Sequence, residues 1–310
     1  MSARIRVSRR LTAGAAALLT ATLLTGCNSG PFMTPWVVAN HDEKVAYHAN
    51  AGDELLNLDA TGSLAQMQAF QSTGYLHIET EKNGSKHVEY ATSVDGESYV
   101  SQRISDQPDE AFDQSHEAGS PHTYFLLGDK FKQNLAGGKS WVQVPVRDLD
   151  RTRTPEANCA LYSVSYMCAL VDAWNLTNES RENVPVQLSR TSAGDQHFAT
   201  AVTYASLADA GLIPAGGQFD GFLSEESRAA LIPLHLWVNP DGVVTKIEVN
   251  GVLTGDGGEE LRLQIGFEIT AGAASGSMRP VTDSEVPGDD VHRITTRKQF
   301  DEFIEKLNSM

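Results

Sequence analysis

Leu261-Arg-Leu-Gln-Ile-Gly-Phe-Glu-Ile269 alternates without error. Leu261, Leu263, Ile265, Phe267 and Ile269 share one face; Arg262, Gln264, Gly266 and Glu268 share the other. A period of two marks a half-buried strand, and one dry face opposite one wet face marks an antiparallel sheet. The same period recurs on both sides of this stretch. Leu234 to Val238, the turn Asn239-Pro-Asp-Gly242 and Val243 to Val249 read as a hairpin. Gly74 to Thr80 and Lys86 to Thr92 alternate around Asn83-Gly84, a hairpin dipeptide. Ser98 to Ile104, Thr123 to Leu127, Trp141 to Val146 and the segments 184–190 and 197–205 supply further strands. Gly128-Asp129 is expected to turn the chain toward Lys130-Phe131-Lys132, and 105–121 and 271–290 read as loops.

An apolar sheet face needs a cover, and helical spacing supplies three. Leu55, Leu56, Leu58, Leu64, Met67 and Phe70 suggest helix over about 45–71, broken near Gly62. Ala157, Ala160, Leu161, Val164, Met167, Cys168, Val171 and Trp174 predict a helix over 155–174, and Phe300, Phe303, Ile304 and Leu307 one over 296–307. Residues 206–229 read as short helices or as a mobile flap. The expected fold class is α+β: a large curved antiparallel sheet with helices on its concave apolar face.

The N-terminus carries a different kind of signal. Arg4, Arg6, Arg9 and Arg10 precede an apolar run from Leu11 to Leu24, and Leu24-Thr25-Gly26-Cys27 closes it. A basic segment, an apolar segment and small residues before one cysteine read as a bacterial lipoprotein signal. The run is shorter than the roughly 20 residues a membrane span needs. On this reading 1–26 is a signal peptide and Cys27 is diacylated and becomes the first residue. Residues 27–49 then tether a domain over 50–310, and the product sits lipid-anchored on the extracytoplasmic face of the cell membrane. An ordinary secretory signal or a short membrane helix is the alternative. Ser8-Arg9-Arg10-Leu11 hints at twin-arginine export.

The chain has 310 residues and a formal charge of −16. Removing 1–26 takes away four arginines and no acid, leaving 20 basic against 40 acidic residues. Such a surface lacks the basic footprint that nucleic acid requires. Beyond Cys27 the cysteines are Cys159 and Cys168. In an oxidising compartment they suggest a disulfide. Nine residues of straight helix rise about 13.5 Å, too far for a bridge, so closure needs Cys159 on a turn folded back against the helix that carries Cys168. Two buried thiols are the alternative.

Chain order then points to a family. The lipobox, tether and first helix lead into Ser72-Thr73-Gly74. Tyr124-x-x-Leu127-Gly128-Asp129-Lys130-Phe131, Gly137-Gly-Lys-Ser-Trp-Val142 and Leu236-Trp-Val-x-x-Asp241-Gly242 follow. Over about 50–300 the chain resembles the actinobacterial LppX/LprG-type lipoproteins of the LolA/LolB-like superfamily. The resemblance implies a half-open β-barrel closed by helices around an apolar cavity, a lipid or lipoglycan ligand whose acyl chains fill that cavity, and transport within the cell envelope. Leu236, Val238, Leu263, Ile265 and Phe267 are the inward candidates for lipid binding, with Phe125, Leu127, Val142 and Val144 beside them. Each is equally an ordinary core position.

No Gly-x-Ser-x-Gly, His-Glu-x-x-His or phosphate-binding glycine loop occurs, so no catalytic residue, metal site or cofactor is assigned. Gly255-Asp-Gly-Gly-Glu-Glu260 lacks the alternate-oxygen spacing of a calcium loop and reads as a turn. His235 is a candidate partner for Glu248 or Glu268 across strands. A protein- or wall-binding module with a filled core competes with the carrier; its working surface would include Trp36, Tyr75, Tyr99 and Trp237. Nothing in the sequence fixes an oligomeric state, and a monomer is the expectation.

Overall fold

The strand at 261–269 forms as its alternation demands. It is the middle of β11 (Glu260–Ala271), in which all five inward side chains are buried. The structure is a computed structural model that describes residues 50–82, 84–146, 155–213, 219–272 and 278–309. The signal segment, Cys27 and the tether lie outside the described residues, as does Asn83 of the first hairpin turn.

Twelve strands form one curved, unclosed sheet in the order β12-β6-β5-β4-β3-β2-β1-β11-β10-β9-β8-β7. The others are β1 (Ala69–Thr80), β2 (Gly84–Asp95), β3 (Ser98–Ser105), β4 (Phe112–His116), β5 (His122–Leu127), β6 (Trp141–Pro145), β7 (Gln187–Arg190), β8 (Gln196–Thr203), β9 (Leu231–Val238), β10 (Val244–Thr254) and β12 (Val291–Arg293). Every pairing is antiparallel except β12 on β6. The fold class is α+β with helices over the concave face.

The helices are α1 (residues 50–56), α2 (Ala60–Ala65), α3 (Asp129–Leu135), α4 (Pro155–Cys159), α5 (Tyr162–Ser180), α6 (Tyr204–Asp209), α7 (Glu225–Ala229) and α8 (Arg297–Ser309). None of them is long and apolar enough to cross a membrane. The helix α5 is the main cover. It lies so close to β1 that a Cβ on Gly74 would sit 2.7 Å from the Ser163 carbonyl oxygen. One residue pair along, the Ser72 and Ser163 hydroxyls share a hydrogen bond of 2.7 Å. At its far end Trp174 Nε1 donates to Thr200 Oγ1 on β8 at 3.1 Å.

Four local expectations need correction. The helix expected over 45–71 stops at Ala65, and Ala69, Phe70 and Gln71 open β1, because Phe70 is fully buried between Val94 and Ala271 in the sheet. The loop expected at 105–121 contains β4, whose inward residues Phe112, Gln114 and His116 are buried although two are polar. Lys130-Phe131-Lys132 belongs to α3, which begins after Gly128 and buries Phe131 against Phe112. The helix expected over 155–174 breaks at 160–161 into α4 and α5, and α5 runs on to Ser180.

That break brings the cysteines together. Cys159 ends α4, Cys168 lies on α5, and the two are disulfide-bonded with Cα atoms 6.0 Å apart. The bridge closes a short loop, for which the unfolded-chain constraint gives about 2–3 kcal/mol. The double variant Cys159→Ala/Cys168→Ala is expected to lose that amount in a urea titration, with an unchanged slope.

Candidate functional site

The concave face is not uniformly apolar, and this divides the core. Reading the inward residues across the registers, Phe267, Gly74, Tyr90, Arg103, Phe112 and Leu127 form one row. Ile269, Ser72, Thr92, Ser101, Gln114, Phe125 and Val142 form the next. Both rows are apolar at their flanks. Over β2, β3 and β4 they turn polar and aromatic. Thr92, Ser101, Arg103 and Gln114 are all buried there. The stripe is satisfied only in part: Thr92 and Ser101 share a hydrogen bond of 2.7 Å and Gln114 Nε2 donates to Tyr99 Oη at 2.9 Å, while Gln114 Oε1 and Arg103 Nε have no partner among the described residues.

Two hydrophobic clusters result. The larger holds α1, α2, α5 and the inward side chains of β1 and β8–β11. The smaller holds Phe112, Phe125, Leu127, Phe131, Val142, Val144 and the apolar side of α8. A cleft of about 790 Å³ separates them. Its lining is mixed: α5 (Tyr162, Ser165, Tyr166, Ala169), Tyr90, Gln114, Phe125 and Leu212, and both apolar and charged residues of α8 (Arg297, Phe300, Asp301, Ile304, Glu305). A smaller chamber of about 260 Å³ shares Tyr90, Tyr166, Gly211 and Leu212 with it and extends to Leu76, Lys86, Val88, Arg103 and Leu307. The larger volume lies in the range of small-molecule sites. Aromatic rings dominate the junction: Tyr90 stacks on Tyr162 with centroids 5.4 Å apart and 12° between planes, and Tyr166 is 5.5 Å from Tyr90. Burial pushes the Tyr90 and Tyr166 hydroxyls up, so both stay neutral at any ordinary pH.

The nine sequence-level lipid candidates divide. Phe125 lines the cleft. Leu236 borders a small void of about 60 Å³ beside Trp174 and Ile247. Leu127, Val142 and Val144 belong to the smaller cluster. Val238, Leu263, Ile265 and Phe267 belong to the larger. Inward direction was readable from alternation; the location of the space was not. The residues that sequence reasoning missed are Tyr90, Lys86 and Arg103. Lys86, Val88 and Tyr90 share one face by strand alternation, and a lysine on an otherwise apolar face was the available signal.

The convex face is polar. His235 pairs in register with Glu248, whose carboxylate accepts from Tyr75 Oη, while Glu268 is held by Lys246 at 2.7 Å. His197 Nε2 lies 3.0 Å from His235 Nδ1, and His197 stacks on Trp237 at 4.7 Å. Of the surface aromatics expected for a docking module, Tyr75 and Trp237 are thus partly buried in this array, Tyr99 is buried, and Trp36 lies outside the described residues. Gly255 to Glu260 makes the β10–β11 turn, with Gly258 at φ +77°. Among the described residues no group of three or more acidic, histidine or cysteine side chains could hold a metal ion.

Burial, and then the neighbouring His235, push the His197 imidazole down from its ordinary 6.5 to about 4. The unfolded chain therefore binds a proton that the folded chain refuses between these values. Stability is fully present above pH 6.5 and falls as pH drops toward 4. The urea midpoint is expected to decline over that window, and His197→Gln to flatten the decline; an equally steep decline in the variant would assign it to other groups.

No family model matches the chain, and no curated protein does. Among solved structures, the crystal structure of the LolA superfamily protein NE2245 from Nitrosomonas europaea is similar at 9% identity and a TM-score of 0.22. The match covers 76% of this chain and 97% of that one.

Proposed function

We propose that this protein is a non-enzymatic, membrane-anchored lipoprotein of the LolA-like type. It carries the acyl chains of a lipid or lipoglycan in the cleft beneath α5 and α8. The observation that carries the proposal is the cleft itself, about 790 Å³ of space between two packed clusters, walled by Phe125, Tyr162, Tyr166, Leu212, Phe300 and Ile304. The order of elements and the Leu24-Thr-Gly-Cys27 signal support an extracytoplasmic, lipid-anchored setting. The strong acidity argues against nucleic acid as partner.

Mass spectrometry of organic extracts tests this. The protein is purified without detergent from its native host, secreted with Cys27→Ser. One enriched acyl lipid class at near-stoichiometric amount supports the carrier and names its cargo. A lipid-free protein that also takes up no added acyl probe overturns it.

A further inference from the structure

The smaller chamber contains charge that the fold does not use. Lys86 and Arg103 both line it, beside Leu76, Val88, Tyr90 and Tyr166. Arg103 is only 7% exposed. Its Nη2 reaches Glu110 Oε2 at 3.3 Å, and its guanidinium lies over the Phe131 ring at 5.4 Å. Its buried Nε has no hydrogen-bond partner among the described residues. Glu110 is shared, because Lys130 Nζ binds its other oxygen. Lys86 has no carboxylate partner among the described residues. Burial and then the Arg103 charge push its ammonium pKa down, with Lys130 adding to the repulsion and Glu110 and the exposed Asp106 opposing it. A chain with formal charge −16 has therefore placed three cations around one buried carboxylate, two of them, Lys86 and Arg103, lining the same small chamber. Leaving a buried donor unmade is costly, and a buried cation demands an anion.

We infer that Lys86 and Arg103 form an anion subsite. On this assignment the cargo is an acyl amphiphile with an anionic head, a carboxylate or a phosphate, and not a neutral acylglycerol. The inference rests on the carrier reading of the cleft. The acyl chain lies along Tyr90, Tyr166 and Leu212, side chains common to both chambers, and the head accepts from Lys86 Nζ and faces the positive charge of Arg103. Elsewhere on so acidic a protein an anionic head is repelled, so this subsite also fixes which end of the cargo enters the small chamber.

The test uses two probes with one chain and different heads, 12-(9-anthroyloxy)stearate and its methyl ester, titrated into the full-length protein and followed by fluorescence. A charge-assisted pair in a partly buried site predicts about tenfold tighter binding of the acid. Lys86→Met should abolish that preference and leave the ester affinity unchanged, and Lys86→Arg should restore it. Competition by laurate against dodecyl phosphate then separates a carboxylate head from a phosphate. Equal binding of acid and ester, or a preference that survives Lys86→Met, overturns the subsite while leaving the carrier standing. Failure of both probes to bind overturns the carrier reading and the subsite with it.

Discussion

Cys27→Ser is expected to move the protein from the membrane fraction to the soluble fraction. Two acyl chains on one residue give stable anchoring where a single chain gives only marginal binding, because each buried methylene contributes about 0.8 kcal/mol. None of the described helices can cross a bilayer. The 20-residue surplus of acid after residue 26 also repels anionic head groups. Fractionation with an alkaline wash reads the result. A variant that stays with the membrane would show that the lipoprotein reading of Leu24 to Cys27 is wrong.

The second large effect separates hollow from filled interior. Ala169 faces the cleft from the middle of α5. Ala169→Trp fills that space with an aromatic side chain, so co-purified lipid should fall severalfold while the unfolding midpoint stays near the parent's. Ile265 makes the opposite case. It is fully buried, with Leu76 and Val249 as its cross-strand partners. Ile265→Trp overpacks the core and should destabilise by about 1–3 kcal/mol, with lipid lost only as the fold is lost. Thermal unfolding measured beside lipid stoichiometry in both variants gives the comparison. If Ala169→Trp loses stability and keeps its lipid, the cargo lies elsewhere.

Much of the fold was legible. The strands at 74–80, 86–92, 234–249 and 261–269 are read from alternation because each carries aliphatic residues on the face that the sheet buries. The terminal helix was legible from Phe300, Phe303, Ile304 and Leu307 for the same reason. The strand β4 was not, because Gln114 and His116 point inward and no hydrophobic pattern marks them. The helix break before Tyr162 was hidden because Ala157, Leu161 and Val164 keep a helical spacing across it. The geometric condition on the cysteines already required such a break if they were to bridge, and the fold supplies it.

The sequence by itself determined which side chains face inward along the strands with an aliphatic face, because strand alternation is a local property of the backbone. It also carried the pattern at 4–27 that reads as an export signal, and the acidic composition, both of which are local or compositional. Where the interior is hollow was decided only by the tertiary structure. Strand registers placed Tyr90 beside Arg103 and Arg103 beside Phe112, and set Thr92, Ser101 and Gln114 in the next row. These residues come from separate strands, and their alignment depends on the registers. Together they form a polar stripe across which the aliphatic clusters do not close, and α5 and α8 pack on its two sides and leave the cleft between them.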